Sequence, residues 1–106
     1  EALEDARSHI ESTNDQFDRL RNIHMCLEAS AEPPDWLVEA HSEFDHGTLN
    51  ESMAHHRRAL AHWWYWRGVV NKDERLSSWK EAIVRMRSSG STNAARELTA
   101  RLSREL

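Results

Sequence analysis

Hydrophobic residues recur at spacings of three and four along much of the chain, which is the period of a helix with one buried face. The first such stripe predicts one long helix from about residue 2 to residue 29. Its members are Leu3, Ala6, Ile10, Thr13, Phe17, Leu20, His24 and Leu27. The spacing is heptad-like over three to four heptads, so a coiled-coil or hairpin arm is an alternative. The polar members Thr13 and His24 favour an ordinary bundle helix.

A proline pair ends this helix. Pro33 and Pro34 lie in the segment 31–34, and proline removes a backbone donor and restrains the residue before it. A short second helix then follows, with one apolar side made of Leu37, Ala40, His41 and Phe44. The segment 45–47 predicts its end, because its glycine suits a helix terminus.

The third predicted helix has recognisable signals at both ends. Thr48 and Glu51 have the spacing of a capping box, which predicts a helix start near residue 49. The helix runs to Arg67, and Gly68 is expected to close it in the left-handed conformation. Residues 69–74 read as a loop.

Two further helices complete the chain. The fourth has its predicted inner face at Leu76, Trp79, Ile83 and Met86. A break at 88–92 separates it from a short final helix lined by Ala95, Leu98, Leu102 and Leu106. No segment alternates as a strand does, so the sequence predicts an all-α bundle of four or five helices with a long acidic N-terminal helix. We expect one domain over 1–106, with an acidic helix or arm at 1–30 and a compact part at 34–106.

Four aromatic residues follow one another at the end of the third helix, at 63–66. Successive helical residues are displaced by about 100°, so four in a row cannot share one core face. The core sector is predicted to hold Leu49, Met53, His56, Leu60, Trp63 and Trp64. Tyr65 then falls nearly opposite, and Trp66 falls off the inner stripe. Either these two rings pack under the N-terminal arm or the last helix, or they form a contact surface for a base, a peptide or a second copy.

Charge divides the chain into two halves. The net charge of −4 combines 12 acidic and 3 basic residues in 1–50, giving −9, with 6 acidic and 11 basic residues in 51–106, giving +5. Such asymmetry predicts a polyanionic partner for the second half, or pairing between opposite halves within or between chains.

The segment 60–68 followed by 79–86 resembles the C-terminal single-stranded-DNA-binding domain of primosomal DnaT-like and phage replication proteins. Those domains typically carry an aromatic-x-x-Tyr-Trp pattern and a glycine, then a loop and a helix that opens with Trp and has an apolar residue four places later. Here Trp63-Trp64 stands at Tyr-Trp, Gly68 at the glycine, Trp79 at the helix opening and Ile83 at the apolar position. Leu60 replaces the first aromatic, and the loop after Gly68 is longer. The likeness covers about residues 49–87 and implies a compact helical module that grips single-stranded DNA near replication forks.

Single-strand binding needs cations for the phosphates and flat rings on which bases stack. Tyr65 and Trp66 are the candidate rings. The candidate cations are Arg57, Arg58, Arg67, Lys72, Arg75, Lys80, Arg85 and Arg87. Solvation of helix faces, or pairing with the acidic arm, is the competing explanation for any one of these cations.

Nothing in the sequence indicates an enzyme, a cofactor or a small-molecule substrate. His55 and His62 are two turns apart, which is not the i, i+4 spacing of a helical zinc pair, so no metal site is expected. Cys26 is expected to be a small buried residue of a reducing compartment. No apolar run is long enough to cross a membrane, and we expect an intracellular protein, cytoplasmic or nucleoid-associated. Because the chain begins with Glu1, it is expected to be a fragment or a processed form.

The sequence therefore predicts a non-catalytic helical binding module that contacts single-stranded nucleic acid in replication through a basic, aromatic surface within residues 55–87. The alternative is a structural or adaptor protein whose acidic helix and aromatic patch assemble copies of itself or dock a partner helix.

Overall fold

The fold is all-α. A computed structural model describes the backbone of residues 2–106 and the side chains of residues 3–106. Within these residues there is no strand, and the α-helices are α1 (Ala2–Ser12), α2 (Gln16–Ala29), α3 (Asp35–Glu43), α4 (Ala54–Val70), α5 (Arg75–Ser88) and α6 (Thr92–Glu105). The all-α prediction is confirmed, with six helices in the described chain rather than four or five.

The helices form two compact units, Glu1–Leu49 and Asn50–Leu106, called unit 1 and unit 2 below. Unit 1 contains α1 to α3 and a 3-10 turn at His46–Thr48, and unit 2 contains a 3-10 turn at Lys72–Glu74 and helices α4 to α6. Each unit is described by itself. The predicted single domain with a division near residues 30–34 stays a prediction.

The long first helix of the prediction is two helices, because residues 13–15 break it. Asp15 caps the start of α2, where its carboxylate accepts hydrogen bonds from two backbone amides of the first turn at 3.0 and 3.4 Å. Arg19 reaches back to the end of α1 and donates to the carbonyl oxygens of Ile10, at 2.9 Å, and of Thr13. Asp15 and Arg19 thus satisfy two of the backbone amides and two of the carbonyl oxygens that the break leaves open.

Unit 1 buries only part of its predicted apolar pattern. The predicted positions that are half-buried are Leu3, Ala6, Thr13, Phe17, His24 and Ala40, whereas Ile23 and Cys26 lie outside the predicted stripe and are buried. Pro34 is the N-cap residue of α3, so the predicted proline break and the short second helix are confirmed. The buried side chains of the unit are Ile10, Leu20, Ile23, Cys26, Leu27, Leu37, His41, Phe44 and Leu49.

The predicted capping box at the start of the third helix is wrong. Thr48 ends a 3-10 turn and donates its hydroxyl to the carbonyl of Asp45 at 2.7 Å, and α4 starts only at Ala54. The carboxylate of Glu51 accepts from Arg85 at 3.3 Å instead. A partner 34 positions away therefore outcompetes the local amides for this side chain.

Gly68 does not close the third helix. It lies inside α4, which continues to Val70, and its φ is not positive. A Cβ at this position would lie 2.3 Å from Cδ1 of Trp79. The indole of Trp79 lies directly against the α4 backbone and donates from Nε1 to the carbonyl of Tyr65 at 3.0 Å. The glycine is thus explained by close packing between α4 and α5 and not by backbone freedom.

The predicted break at 88–92 is confirmed, and Gly90 has the left-handed φ of +84°. The amide of Ser91 donates to the carbonyl of Met86 at 2.8 Å, and that of Gly90 donates to Arg87 at 3.4 Å, the pattern of a Schellman motif. The turn sets α6 beside α5. A buried cluster joins α4, α5 and α6 through Ala61, Trp79, Ala82, Ile83, Met86, Ala95, Leu98 and Leu102. The predicted core residues Leu76 and Leu106 are exposed instead.

Candidate nucleic-acid interface

All ten residues of the predicted interface belong to unit 2, but they do not play equivalent parts. Helix α4 carries Arg57, Arg58, Tyr65, Trp66 and Arg67, the following 3-10 turn carries Lys72, and α5 carries Arg75, Lys80, Arg85 and Arg87. The cations divide into those held by other groups of unit 2 and those that extend into solvent.

Arg67 is held at the C-terminal end of α4. Its guanidinium pairs with the carboxylate of Glu74 at 2.9 Å and lies 5.5 and 5.6 Å from the ring centroids of Trp63 and Trp64. These distances are within the range of cation–π attraction. Arg67 therefore stabilises the aromatic end of its own helix.

Arg75 is held more firmly. It donates to the carbonyl oxygens of Gly68 at 2.9 Å and Val69 at 3.3 Å, and it pairs with Glu105 at 3.3 Å. Its guanidinium also lies 5.2 Å from the ring centroid of Trp79. This one side chain satisfies carbonyls at the end of α4 and ties α6 to the start of α5.

Arg85 bridges two carboxylates, Glu81 at 2.9 Å and Glu51 at 3.3 Å. Arg57 donates to the backbone carbonyl of Glu51 at 2.9 Å. Together with Arg67 and Arg75, these arginines form a framework that holds the segment before α4 and the ends of the helices. Three of them neutralise four of the six carboxylates of unit 2.

The remaining predicted cations have no such role. Their side chains are exposed and make no hydrogen bond or ion pair within the described chain; they are Arg58, Lys72, Lys80 and Arg87. Arg96 and Arg104 on α6 are exposed and equally uncommitted there. Neither residue was among the predicted phosphate contacts, although both lie off the apolar stripe of α6 in the sequence.

Two of these cations share the outer face of α5. Lys80 and Arg87 are two turns apart, with Val84 between them. Val84 is 61% exposed and Leu76, one turn before Lys80, is 42% exposed. The outer face of α5 is therefore basic and partly apolar.

Tyr65 is not the exposed ring that the helical projection predicts. It packs against the buried cluster of unit 2 and stacks on Trp79, with ring centroids 6.0 Å apart and planes inclined by 12°. Its hydroxyl accepts a hydrogen bond from Nη1 of Arg101 on α6 at 2.8 Å. The alternative that Tyr65 packs under the last helix is confirmed.

Trp66 is half-buried. Its ring meets the edge of Tyr65, with centroids 5.1 Å apart and planes at 71°. Part of this indole stays accessible on unit 2, which is the property that a base-stacking ring needs.

Arg101 was not among the predicted interface residues. Its guanidinium lies 4.9 Å from the ring centroid of Trp79 and 5.7 Å from that of Tyr65, besides donating to the tyrosine hydroxyl. These contacts join α6 to α4 across 36 positions of sequence, so no local pattern could have indicated them.

Two ionisable groups of unit 1, Asp18 and Cys26, have shifted pKa values. The hydrogen bond from His9, at 2.5 Å, lowers the pKa of Asp18 below its ordinary value, and a second hydrogen bond from Thr13 acts in the same direction. Burial raises the pKa of Cys26, so its thiolate is disfavoured. Among the residues whose side chains are described, no group of His, Cys, Asp and Glu is arranged to hold a metal ion.

No helix in the described part of the chain is long and apolar enough to cross a bilayer. Comparison of the chain with protein-family models, with curated proteins and with solved structures finds no match. The likeness to the DnaT-like domain therefore stays a prediction from the sequence motif at 60–68 and 79–86.

Proposed function

We propose that this chain is a non-catalytic helical binding module and that unit 2 contacts single-stranded nucleic acid. One observation carries the proposal. Unit 2 holds more cations than its fold uses, because four of its carboxylates are occupied by Arg67, Arg75 and Arg85 while several exposed cations have no internal partner.

The contact surface differs in part from the predicted one. The phosphate contacts are assigned to the uncommitted cations Arg58, Lys72, Lys80, Arg87, Arg96 and Arg104. The stacking ring is assigned to Trp66, because Tyr65 is held by Trp79 and Arg101. A single strand is preferred to a duplex because an indole can stack only on a base that is not already stacked on both faces.

A fluorescence titration tests this proposal. A mixed-sequence single-stranded 20-mer at low salt should quench the tryptophan fluorescence, and the logarithm of the association constant should fall linearly with the logarithm of the salt concentration. A duplex of the same sequence should bind more weakly. Absence of any change in fluorescence or in the anisotropy of a labelled 20-mer at low salt would refute the proposal.

Two variants separate the two classes of cation. Lys80→Gln combined with Arg87→Gln should lower the salt slope by about 1.4, since each phosphate contact on a single strand contributes about 0.7. The matched control is Arg85→Gln, which also removes positive charge from α5. Its guanidinium already serves Glu51 and Glu81, so the slope should stay unchanged. Equal slope changes per charge in both variants would contradict the assignment.

A second candidate function is self-association, and a specific observation favours it. Unit 1 has an open groove of about 350 Å³ between α1 and α2, lined largely by apolar side chains that include Leu3, Met25 and Ala29. Met25 is 59% exposed. The sequence of unit 1 carries a charge of −9, so the partner that fits this groove is a basic, partly apolar helix face.

The outer face of α5 in a second copy of the chain has those properties. Contact between unit 1 of one copy and unit 2 of the next is heterologous, so it gives closed rings or open chains. Sedimentation or light scattering should show oligomers that Val84→Glu or Met25→Glu dissociates. Ser103→Glu, at an exposed position of α6 away from the outer face of α5, is the control for charge alone. A strict monomer at high micromolar concentration would exclude this candidate.

A further inference from the structure

A small pocket opens on unit 2 where α4, α5 and α6 meet. Its volume is about 150 Å³. Its apolar wall comes from Met86, Ala94 and Leu98, and its polar side chains include Glu97. Sites for drug-sized ligands measure roughly 300–1,000 Å³, so this pocket suits a single ring or a group of similar size.

The polar groups of the pocket have assignable hydrogen-bonding roles. Nδ1 of His62 lies 2.8 Å from the carbonyl oxygen of Arg58. A carbonyl can only accept, so Nδ1 carries the proton and Nε2 of the neutral ring is an acceptor. The carboxylate of Glu97 is a second acceptor, and it has no hydrogen bond or ion pair within the described chain.

Two other lining residues, Tyr65 and Arg101, supply donors. The hydroxyl oxygen of Tyr65 accepts from Arg101 at 2.8 Å, which leaves the hydroxyl proton of Tyr65 to be donated elsewhere. Stacking on Trp79 holds the tyrosine ring. The pocket therefore combines two acceptors, at Glu97 and His62, with donors at Tyr65 and Arg101 over an apolar wall.

We propose that this pocket receives one base of a bound single strand and prefers the amino-bearing bases adenine, cytosine and guanine to thymine or uracil. The inference rests on the proposed function and adds the recognition of a base to it. An exocyclic amino group donates to a carboxylate, as cytosine N4 does to Glu in known recognition. Thymine and uracil have no exocyclic amino group, and their single donor, the ring N3–H, can satisfy only one of the two acceptors at Glu97 and His62.

Homopolymers test the inference on the unmodified protein. Oligo-dC and oligo-dA 12-mers should each bind at least about fivefold more tightly than oligo-dT at the same salt, the lower end of the discrimination that one good base contact gives. Tighter binding of oligo-dT, or equal binding of all three, would overturn it.

Variants then connect the preference to the pocket. Glu97→Gln replaces an acceptor by a group that also donates, so it should strengthen oligo-dT binding relative to oligo-dC. Ala94→Leu should fill the pocket and abolish the preference while leaving the salt slope unchanged. Ala100→Leu, at an exposed position of the same helix outside the pocket, is the matched control and should change neither.

The outcomes separate the two proposals. If oligonucleotides bind with the expected salt slope but show no base preference, the pocket inference fails and the proposed function stands. If no oligonucleotide binds, both fail. If the preference is present but survives Glu97→Gln and Ala94→Leu in folded protein, as checked by circular dichroism, the preference arises elsewhere and the pocket inference is overturned.

Discussion

Units 1 and 2 differ in which charge is less common: basic residues in unit 1 and acidic residues in unit 2. In both units the less common charge is mostly engaged in internal contacts. In unit 1 the three arginines are all engaged: Arg7 pairs with Glu11 and lies over Trp36, Arg19 joins two helices, and Arg21 pairs with Asp18. In unit 2 it is mainly the carboxylates that are engaged. Each unit therefore engages most of its less common charge internally and leaves much of the more common charge exposed, negative in unit 1 and positive in unit 2.

A count of charges is therefore a poor guide to a binding surface. Arg75 and Arg87 have the same chemistry and lie on the same helix. One satisfies backbone carbonyls and a carboxylate, and the other extends into solvent. Only the second class is available to an external anion without loss of internal stability.

The largest effect on stability is expected from Gly68→Ala, which disrupts the packing of α4 against α5. Gly68→Ala would gain about 1 kcal/mol from helix propensity alone. Instead we expect a loss of about 2–4 kcal/mol, because the new methyl displaces the indole of Trp79 and breaks its hydrogen bond to Tyr65. Urea unfolding followed by tryptophan fluorescence reports mainly on unit 2, which holds four of the five tryptophans.

The control is Gly47→Ala in unit 1. Its added Cβ would meet only Oδ1 of Asp45, at 3.1 Å, and the site lies in unit 1, so the fluorescence transition of unit 2 should barely change. A Gly68→Ala protein that is more stable than the original would show that helix propensity outweighs the contact.

The next largest effect on stability is expected for an arginine with internal partners, in contrast to an arginine without them. Arg75→Ala should destabilise unit 2 by about 1–3 kcal/mol, because the carbonyl oxygens of Gly68 and Val69 lose a charged donor. Arg87→Ala should change stability by no more than about 0.5 kcal/mol. The two variants have the same net charge, so similar unfolding midpoints would refute the division of the cations into two classes.

A smaller difference in stability is expected between two arginines of unit 1, Arg19 and Arg21. Arg19→Ala should cost about 1–2 kcal/mol, since its guanidinium serves the open carbonyls at the end of α1. Arg21→Ala removes only an exposed pair with Asp18 and should cost well under 1 kcal/mol. Hydrogen exchange of α1 and α2 amides measures both, and faster exchange should appear in the Arg19 variant alone.

The smallest effect is a dependence on pH. The pKa of Asp18 is lower in the folded chain than its ordinary value of 3.8. Its carboxylate therefore contributes stability that is fully present above pH 3.8 and is lost as the pH falls through the lower folded value. Asp18→Asn should make the stability of unit 1 less sensitive to pH in this window, as measured by acid titration of the helix signal. An unchanged titration curve would contradict this contribution.

Local signals in the sequence predicted some elements and not others. Pro33-Pro34 and Gly90 acted as breaks because their backbone constraints do not depend on distant contacts. The break at 13–15 was missed, since the apolar stripe continues through it and the cap residue Asp15 looks like any acidic residue on a helix surface. Gly68 was misassigned because freedom of φ and absence of a side chain are indistinguishable in a sequence.

The sequence predicted where the cations of the candidate interface lie along the chain, but not which of them are held by internal partners. The basic character of the second half is a property of the sequence, whereas the engagement of Arg85 and Arg75 depends on Glu51 and Glu105, which are 34 and 30 positions away. The helical projection also assumed one buried face on α4. Contact with both α5 and α6 buries a wider sector, which includes Tyr65.

The contact between Gly68 and Trp79 has a consequence for how unit 2 responds to a ligand. With no side chain to act as a spacer, α4 and α5 cannot slide or roll past each other without the indole striking the neighbouring backbone. The two helices should therefore move as a single rigid body, and a strand bound on their outer faces would meet a preset array of charges and not one that adjusts to it.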